Sequence, residues 1–150
     1  MSEEPTQWTE ADFDGLSWHD NRVHGLRIYE AEDGSGVLEL DIDHILEWLP
    51  AEGGACRFRI APAVVRFRDV TELRIEVDYV ADRAAVAPFS IDTLTRDELS
   101  YPGGRSFRWR FELDWPRGSI RFESPGFTQE LRGPIVTTTD QLLPRGYPAT

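Results

Sequence analysis

The sequence is poor in residues that cross-link small proteins or bind metals. Its 150 residues include one cysteine, Cys56, three histidines and no lysine, so that all 16 basic residues are arginine. A single thiol excludes a disulfide framework and a zinc site with several thiolate ligands. We interpret the absence of lysine as a mark of a GC-rich genome rather than of a mechanism.

Long apolar runs are also missing. No stretch approaches the roughly 18 consecutive apolar residues that a transmembrane helix needs. The acidic stretch MSEEPTQWTEADFD lacks the apolar core of a signal peptide. Hydrophobic residues make up 40% of the chain and aromatic residues 11%, enough for one packed core. We therefore expect one soluble domain in a reducing cytoplasm.

Negative charge is concentrated in the first third of the chain. Residues 1–52 hold 14 Asp and Glu against Arg22 and Arg27, a net charge of −12, whereas residues 53–150 carry +1. The total of −11 argues against binding to nucleic acid or to anionic membranes. It favours a basic protein partner, and it also keeps the protein in solution.

Short alternating segments between glycines and prolines predict strands along the chain. Residues 73–79 and 107–115 alternate apolar with charged side chains most clearly, and residues 23–30 and 37–43 flank the turn EDGSG as a hairpin. No segment keeps the 3.6-residue period of a helix. The pattern predicts an all-β protein with little helix: an antiparallel β-sandwich or partly open barrel of about eight or nine short strands.

The domain organisation follows from where this alternation begins and ends. Residues 1–14 are predicted to form a loose acidic lead-in, residues 15–133 a single all-β domain, and residues 134–150 a C-terminal tail. In the predicted strand at residues 56–60, Cys56 takes an inward position with Phe58 and Ile60. We therefore expect Cys56 to be a small buried apolar residue rather than a reactive thiol.

An acidic row runs along the second predicted strand. Glu39, Asp41 and Asp43 lie at i, i+2 and i+4, so their side chains share one face. Three carboxylates in line could hold a divalent cation. Neighbouring predicted strands carry outward arginines, however, and cross-strand ion pairs are ordinary sheet chemistry. We expect a solvated or paired face that presents negative charge to a partner.

The histidines offer an alternative metal site. His24 and His44 could meet across the predicted hairpin, with His19 nearby in sequence, but the spacing fits no known zinc pattern. His19 could also act as a general base if Asp20 oriented it, although adjacent strand residues point to opposite faces. The structural interpretation is that Asp20 lies in a turn, and that Trp18 and His19 close one end of the core.

Motifs for catalysis are absent. The sequence contains no nucleophile elbow, phosphate loop or H-E-x-x-H pattern, so we predict no catalytic residue and no cofactor. The aromatic strand at residues 107–115 could stack nucleobases. Its aromatic positions are predicted to face the core, which argues against that role.

Four stretches together carry a resemblance: FDGLSWHDNRVHGLRI, GVLELDID, VVRFRDVTELRI and GSIRFESPGFTQEL. Two short patterns stand out in them, the triplet Trp18-His19-Asp20 at the first strand, and Phe67, Val70 and Leu73 before a middle strand. Over roughly residues 13–133 the chain resembles small uncharacterised bacterial all-β proteins. It is also similar to the immunity proteins of polymorphic toxin systems, notably immunity protein family 50.

This resemblance implies a cytoplasmic protein that binds and silences a toxin domain without catalysis. The chain departs from the pattern in a loop-rich insertion between about residues 80 and 106. We expect a non-enzymatic binding module whose binding surface includes Trp18, His19, Asp20, Glu39, Asp41 and Asp43.

Two alternatives remain open. One is a small metal-binding protein or metal-dependent enzyme that uses His19, Asp20, His24 and His44. The other is a structural β domain that associates with itself, for example as a homodimer, through exposed strand edges.

Overall fold

The computed structural model describes residues 4–50 and 53–145 of the chain. In this part, ten strands form one antiparallel sheet, and the helical segments are two short 3₁₀ turns at Glu10–Gly15 and Ala81–Arg83. The predicted all-β class with little helix is confirmed. The strands are β1 (Gln7–Thr9), β2 (Arg22–Glu30), β3 (Gly36–Leu49), β4 (Arg57–Arg68), β5 (Thr71–Val77), β6 (Phe89–Tyr101), β7 (Gly104–Trp115), β8 (Gly118–Ser124), β9 (Gly126–Leu131) and β10 (Val136–Thr138).

The sheet is rolled but not closed. Its strand order is β1-β9-β4-β3-β2-β6-β7-β8-β5, and β10 pairs with β4 beyond the end of β9. Strands β4 and β5 are consecutive in the chain yet lie near opposite ends of this order. The two halves of the sheet face each other, since the ring of Phe67 on β4 lies 4.6 Å from Phe122 on β8 and 5.2 Å from Trp109 on β7.

One aromatic core fills the space inside the roll. The predicted alternation is confirmed, because the apolar positions of β3 and β7 point inward and are buried while their charged neighbours point outward. The predicted hairpin is also confirmed as β2 and β3. The inward residues of these two strands are Leu38, Leu40, Ile42, Phe107, Trp109, Phe111 and Leu113.

Two predicted boundaries were wrong. The sequence predicts separate strands at residues 56–60 and 63–67, with a strand edge or kink at Pro62. The structure instead has the single strand β4, which runs through Pro62. Proline is tolerated there because β10 pairs with β4 up to Ile60 and β9 only from Ala63, so Pro62 falls between the two neighbours. The loop expected at residues 97–106 is the tip of a long β6–β7 hairpin.

Because β4 is one continuous strand, the side chains predicted to point inward from residues 56–60 lie on the other face of the sheet. Phe58 and Ile60 are buried, but they pack with Ile45 and Leu143 in a second small cluster rather than in the main core. Side chains alternate along one strand, so residues 58 and 60 lie on the face opposite Ala63, Val65 and Phe67. Cys56, which the sequence placed inside, is exposed.

The C-terminal segment forms an outer layer over this second cluster. Strand β10 extends the sheet, and residues 139–145 then cross the outer face of β3, where Leu143 covers Ile45. Structured elements also occur near the other terminus, where β1 pairs with β9.

Neither helical segment in the described residues is long and apolar enough to cross a membrane.

Candidate functional site

Trp18 belongs to the core. Its side chain is buried, and its indole N–H donates to Oε1 of the buried Gln129 at 2.8 Å. The ring lies 5.7 Å from Phe13 and 5.7 Å from Phe127. Trp18 therefore anchors the chain just before the turn that presents His19 and Asp20, and it is not itself a contact surface.

A turn brings His19 and Asp20 to the same side of the chain. Asp20 has a φ of 62°, a left-handed conformation that Asp tolerates better than most residues. Its N–H donates to the carbonyl of Ile91 at 2.7 Å, which fixes the turn against β6. The expectation that adjacent side chains diverge holds for a straight strand; here His19 Nε2 lies 3.6 Å from Asp20 Oδ2.

His19 is half exposed in an acidic setting. Its Nδ1 lies 2.9 Å from the carbonyl oxygen of Asp92. This hydrogen bond, together with the negative charges of Asp20, Asp92 and Asp114, raises the pKa of His19 above its ordinary value. The neighbouring carboxylates thus stabilise the protonated form of the imidazole relative to its neutral form.

The indole of Trp48 contacts the ring of His19 at the protein surface. The His19 ring is stacked on the indole, with centroids 6.1 Å apart and planes at 26°. The ring of Phe58 also contacts the indole, with centroids 4.7 Å apart and planes at 85°. Trp48 nevertheless keeps 43% of its surface exposed. It comes from the end of β3, after a bulge between Ile45 and Glu47.

A cavity of about 520 Å³ adjoins this cluster. The C-terminal segment forms one wall, and Leu142 within it is 44% exposed. Gln141 links the cavity to the turn, because its side-chain amide donates to Asp20 at 3.4 Å. We call this surface the Trp48 patch; it comprises His19, Asp20, Arg22, Trp48, Cys56, Phe58, Asp140, Gln141 and Leu142.

Arg22 is the basic group in the wall of this cavity. Its Nε is buried and has no hydrogen-bond partner among the described residues. Exposed aromatic and aliphatic surface beside an arginine is a composition typical of protein-binding surfaces. In the described part of the chain, the patch offers contacts for binding and shows no nucleophile hydrogen-bonded to a base.

The acidic row is paired with arginines, one of the two outcomes that the sequence predicts. Glu39 is buried and accepts from Arg66 at 2.6 Å and from Arg27 at 3.2 Å. Asp41 accepts from Arg145 at 3.1 Å. The partner of Asp41 comes from residues 139–145, which return across β3, and nothing in the local alternation signals that return.

Asp43 is the most enclosed member of this row. It is fully buried, and its Oδ2 accepts from His24 Nε2 at 2.6 Å and from the backbone N–H of Leu143 at 2.8 Å. Its Oδ1 lies 2.7 Å from Arg145 Nη2. Asp43 therefore holds the C-terminal segment in place and is not accessible to a partner.

The three histidines occupy separate environments. His24 is on Asp43, His19 is at the Trp48 patch, and His44 is buried on the inner face. Nδ1 of His44 accepts from the Asn21 amide at 2.9 Å, and burial lowers the pKa of His44 to about 4. Among residues 4–50 and 53–145, no three His, Cys, Asp or Glu side chains are grouped so that they could hold a metal ion.

Sequence reasoning found part of the patch and missed the rest. The triplet pointed to the turn at His19 and Asp20, but no pattern in the sequence singled out Trp48, and Leu142 was assigned to a tail. The signal that could have found Trp48 is its position in EWLP, a large aromatic residue beside a charge at the end of a strand. No family model, no curated protein and no solved structure matches this chain.

Proposed function

We propose that this protein is a non-catalytic binding module that holds a basic protein partner on the Trp48 patch. The observation that carries the proposal is the exposed indole of Trp48, fixed between His19 and Phe58 at the edge of a cavity. Tryptophan is strongly enriched among the few residues that dominate binding energies at protein interfaces. Its ring is held in place by its neighbours, which reduces the entropy lost on binding.

Charge argues for a basic partner. Asp20, Asp92 and Asp114 surround His19, and Asp140 lines the cavity. The chain as a whole carries −11. Complementary charge across an interface mainly accelerates association and excludes wrong partners, while buried apolar contacts hold the complex together.

The resemblance to immunity proteins suggests a class of partner, a toxin domain. A cytoplasmic toxin domain with a basic surface would meet the acidic rim, and the apolar centre of the Trp48 patch would bury its contact residues. The acidic row at Glu39, Asp41 and Asp43 has no part in this version, because Glu39 pairs with Arg66 of the neighbouring strand and the other two pair with Arg145 of the C-terminal segment.

Co-purification with the product of the neighbouring gene tests the proposal. The protein and that product are co-expressed, and association rates are measured at low and high salt. We expect a complex whose association slows with salt and with the double substitution Asp20→Asn and Asp140→Asn. Association that ignores both changes would contradict the electrostatic part, and failure of the two proteins to associate would contradict the toxin-binding role.

Sedimentation of the purified protein separates a partner from self-association. We expect a monomer with a free Trp48 patch. A dimer that dissociates on Trp48→Ala, and that no basic protein displaces, would assign the patch to a second copy of the chain.

A further inference from the structure

A row of arginines crosses the outer face of the other half of the sheet. Arg121 on β8 lies directly opposite Arg74 on β5 and directly opposite Arg110 on β7. Like charges at directly opposed strand positions destabilise a sheet. Three guanidinium groups in one cross-strand row are therefore an arrangement that the fold alone does not favour.

Arg110 in this row is hydrogen-bonded to Glu112, but Arg121, Arg74 and the nearby Arg108 have no hydrogen-bonded carboxylate among the described residues. Nε of Arg121 is buried with no hydrogen-bond partner among the described residues. Arg74 and Arg108 approach carboxylates only at 3.9 Å, on Glu76 and Glu123. By contrast, Arg66 on the outer face of β4 is hydrogen-bonded to Glu39 at 2.6 Å.

A cavity of about 340 Å³ lies where three of these side chains meet. Arg74, Arg108 and Arg121 line it, together with Phe122 and the carboxylates of Glu72 and Glu123. The guanidinium is a planar donor that matches the geometry of phosphate oxygens and stays charged at any physiological pH. Within the described chain, no acidic side chain forms a hydrogen bond to any of these three guanidiniums.

We propose that this cavity binds a phosphate-type oxyanion, carried by a small phosphorylated molecule. The three guanidiniums donate to the phosphate oxygens. Glu72 and Glu123 line the same cavity and accept from hydroxyl or amino groups elsewhere on the ligand. Glu123 already accepts from the phenol of Tyr101, which fixes its position. The site is on the half of the sheet opposite β3, and it does not rest on the function proposed for the Trp48 patch.

Titration with inorganic phosphate at low ionic strength tests the site. Amide and arginine side-chain NMR shifts of the wild type should move at β5, β7 and β8, and the affinity should fall about tenfold in Arg121→Met, the loss expected for one charge-assisted hydrogen-bonding group. Arg117→Met, which removes the same charge at an exposed turn, is the control. Equal loss in both variants, or no shift at these strands, would overturn the proposal.

Thermal unfolding gives a second readout that does not depend on affinity. Without phosphate, Arg121→Met should unfold at a higher temperature than the wild type, because the substitution removes two opposed like-charge pairs. With phosphate, the wild type should gain more stability than the variant. If Arg121→Met is destabilised without phosphate, Arg121 also has a structural role, and Arg108→Met replaces it at a more exposed position: weaker phosphate binding in Arg108→Met supports the site, and wild-type affinity overturns the proposal.

The affinities of two phosphate esters test whether the rest of the ligand carries hydroxyl groups. Glycerol phosphate carries hydroxyl donors, whereas ethyl phosphate carries none. Tighter binding of glycerol phosphate supports the role given to Glu72 and Glu123. Equal binding of the two esters would overturn that role.

Discussion

The guanidinium of Arg145 lies 2.7 Å from Oδ1 of Asp43, a carboxylate with no exposed surface. This contact joins the C-terminal segment to the middle of strand β3. Residues 139–142, just before Arg145, form one wall of the cavity in the Trp48 patch. The ion pair therefore has two consequences: it neutralises a buried charge, and it holds part of the candidate binding surface in place.

Removing the guanidinium should destabilise the protein strongly. In Arg145→Met, Asp43 stays buried but loses its cationic partner, and breaking a buried pair from one side costs about 3 kcal/mol. The free energy of unfolding, from urea titration followed by circular dichroism, measures this loss.

A surface ion pair supplies the control. Arg132 pairs with Glu130 at 3.1 Å, and both side chains are substantially exposed. Arg132→Met should leave the unfolding free energy almost unchanged, because solvent screens such pairs. If the two substitutions cost the same, Asp43 does not depend on Arg145 for compensation.

His44 should make stability fall as the solution becomes acidic. Burial lowers its pKa from 6.5 to about 4, so between these values the unfolded chain binds a proton that the folded protein does not. Stability from this group is complete above pH 6.5 and declines by about 3 kcal/mol as the pH falls to 4. Unfolding free energies of wild type and His44→Gln over this range should converge towards low pH; parallel curves would contradict the assignment.

His19, unlike His44, should make stability fall as the solution becomes alkaline. Its pKa is raised by the hydrogen bond to the Asp92 carbonyl and by nearby carboxylates, so the folded protein holds the proton more tightly than the unfolded chain. The stability it contributes is present below pH 6.5 and is lost as the pH rises through its folded-state pKa. The difference between wild type and His19→Gln should therefore shrink towards alkaline pH. A histidine NMR titration reports the pKa directly, and a value below 6.5 would refute the prediction.

The buried pair of Trp18 and Gln129 should be sensitive to loss of its acceptor. Gln129→Leu leaves the indole N–H of Trp18 without a partner in the core, which costs about 2 kcal/mol. Thr128→Val, at the neighbouring exposed position of β9, is the matched control and should have little effect. Equal unfolding free energies for wild type and Gln129→Leu would show that the hydrogen bond is replaced.

Local alternation was enough to predict the strands and most of their inner faces. Every second side chain from Leu38 to Ile42 and from Phe107 to Leu113 points inward, as the period of two requires. The prediction failed at Pro62, where a strand edge or kink was expected, because its place between β9 and β10 lets one strand run through it. Phe58 was then assigned to the main core, because two short strands were considered separately.

The candidate site was harder to predict because distant segments build it. The turn at Asp20, the end of β3 at Trp48 and the C-terminal residues Gln141 and Leu142 meet only after the sheet has rolled. The acidic row had the clearest pattern in the sequence, yet Arg145 pairs with two of its members. Periodicity reports which face a side chain takes, but not which remote segment covers that face.

The most direct measurement is the affinity of the neighbouring-gene product for Trp48→Ala, compared with the wild type by calorimetry. Tyr101→Ala is the control, since Tyr101 is also a large exposed ring, 51% accessible, but lies at the far tip of the β6–β7 hairpin. If the Trp48 patch is the binding surface, Trp48→Ala should weaken binding about 30-fold, the loss typical of a dominant interface tryptophan, and Tyr101→Ala should leave it unchanged. Wild-type affinity in Trp48→Ala would contradict the assignment of this patch.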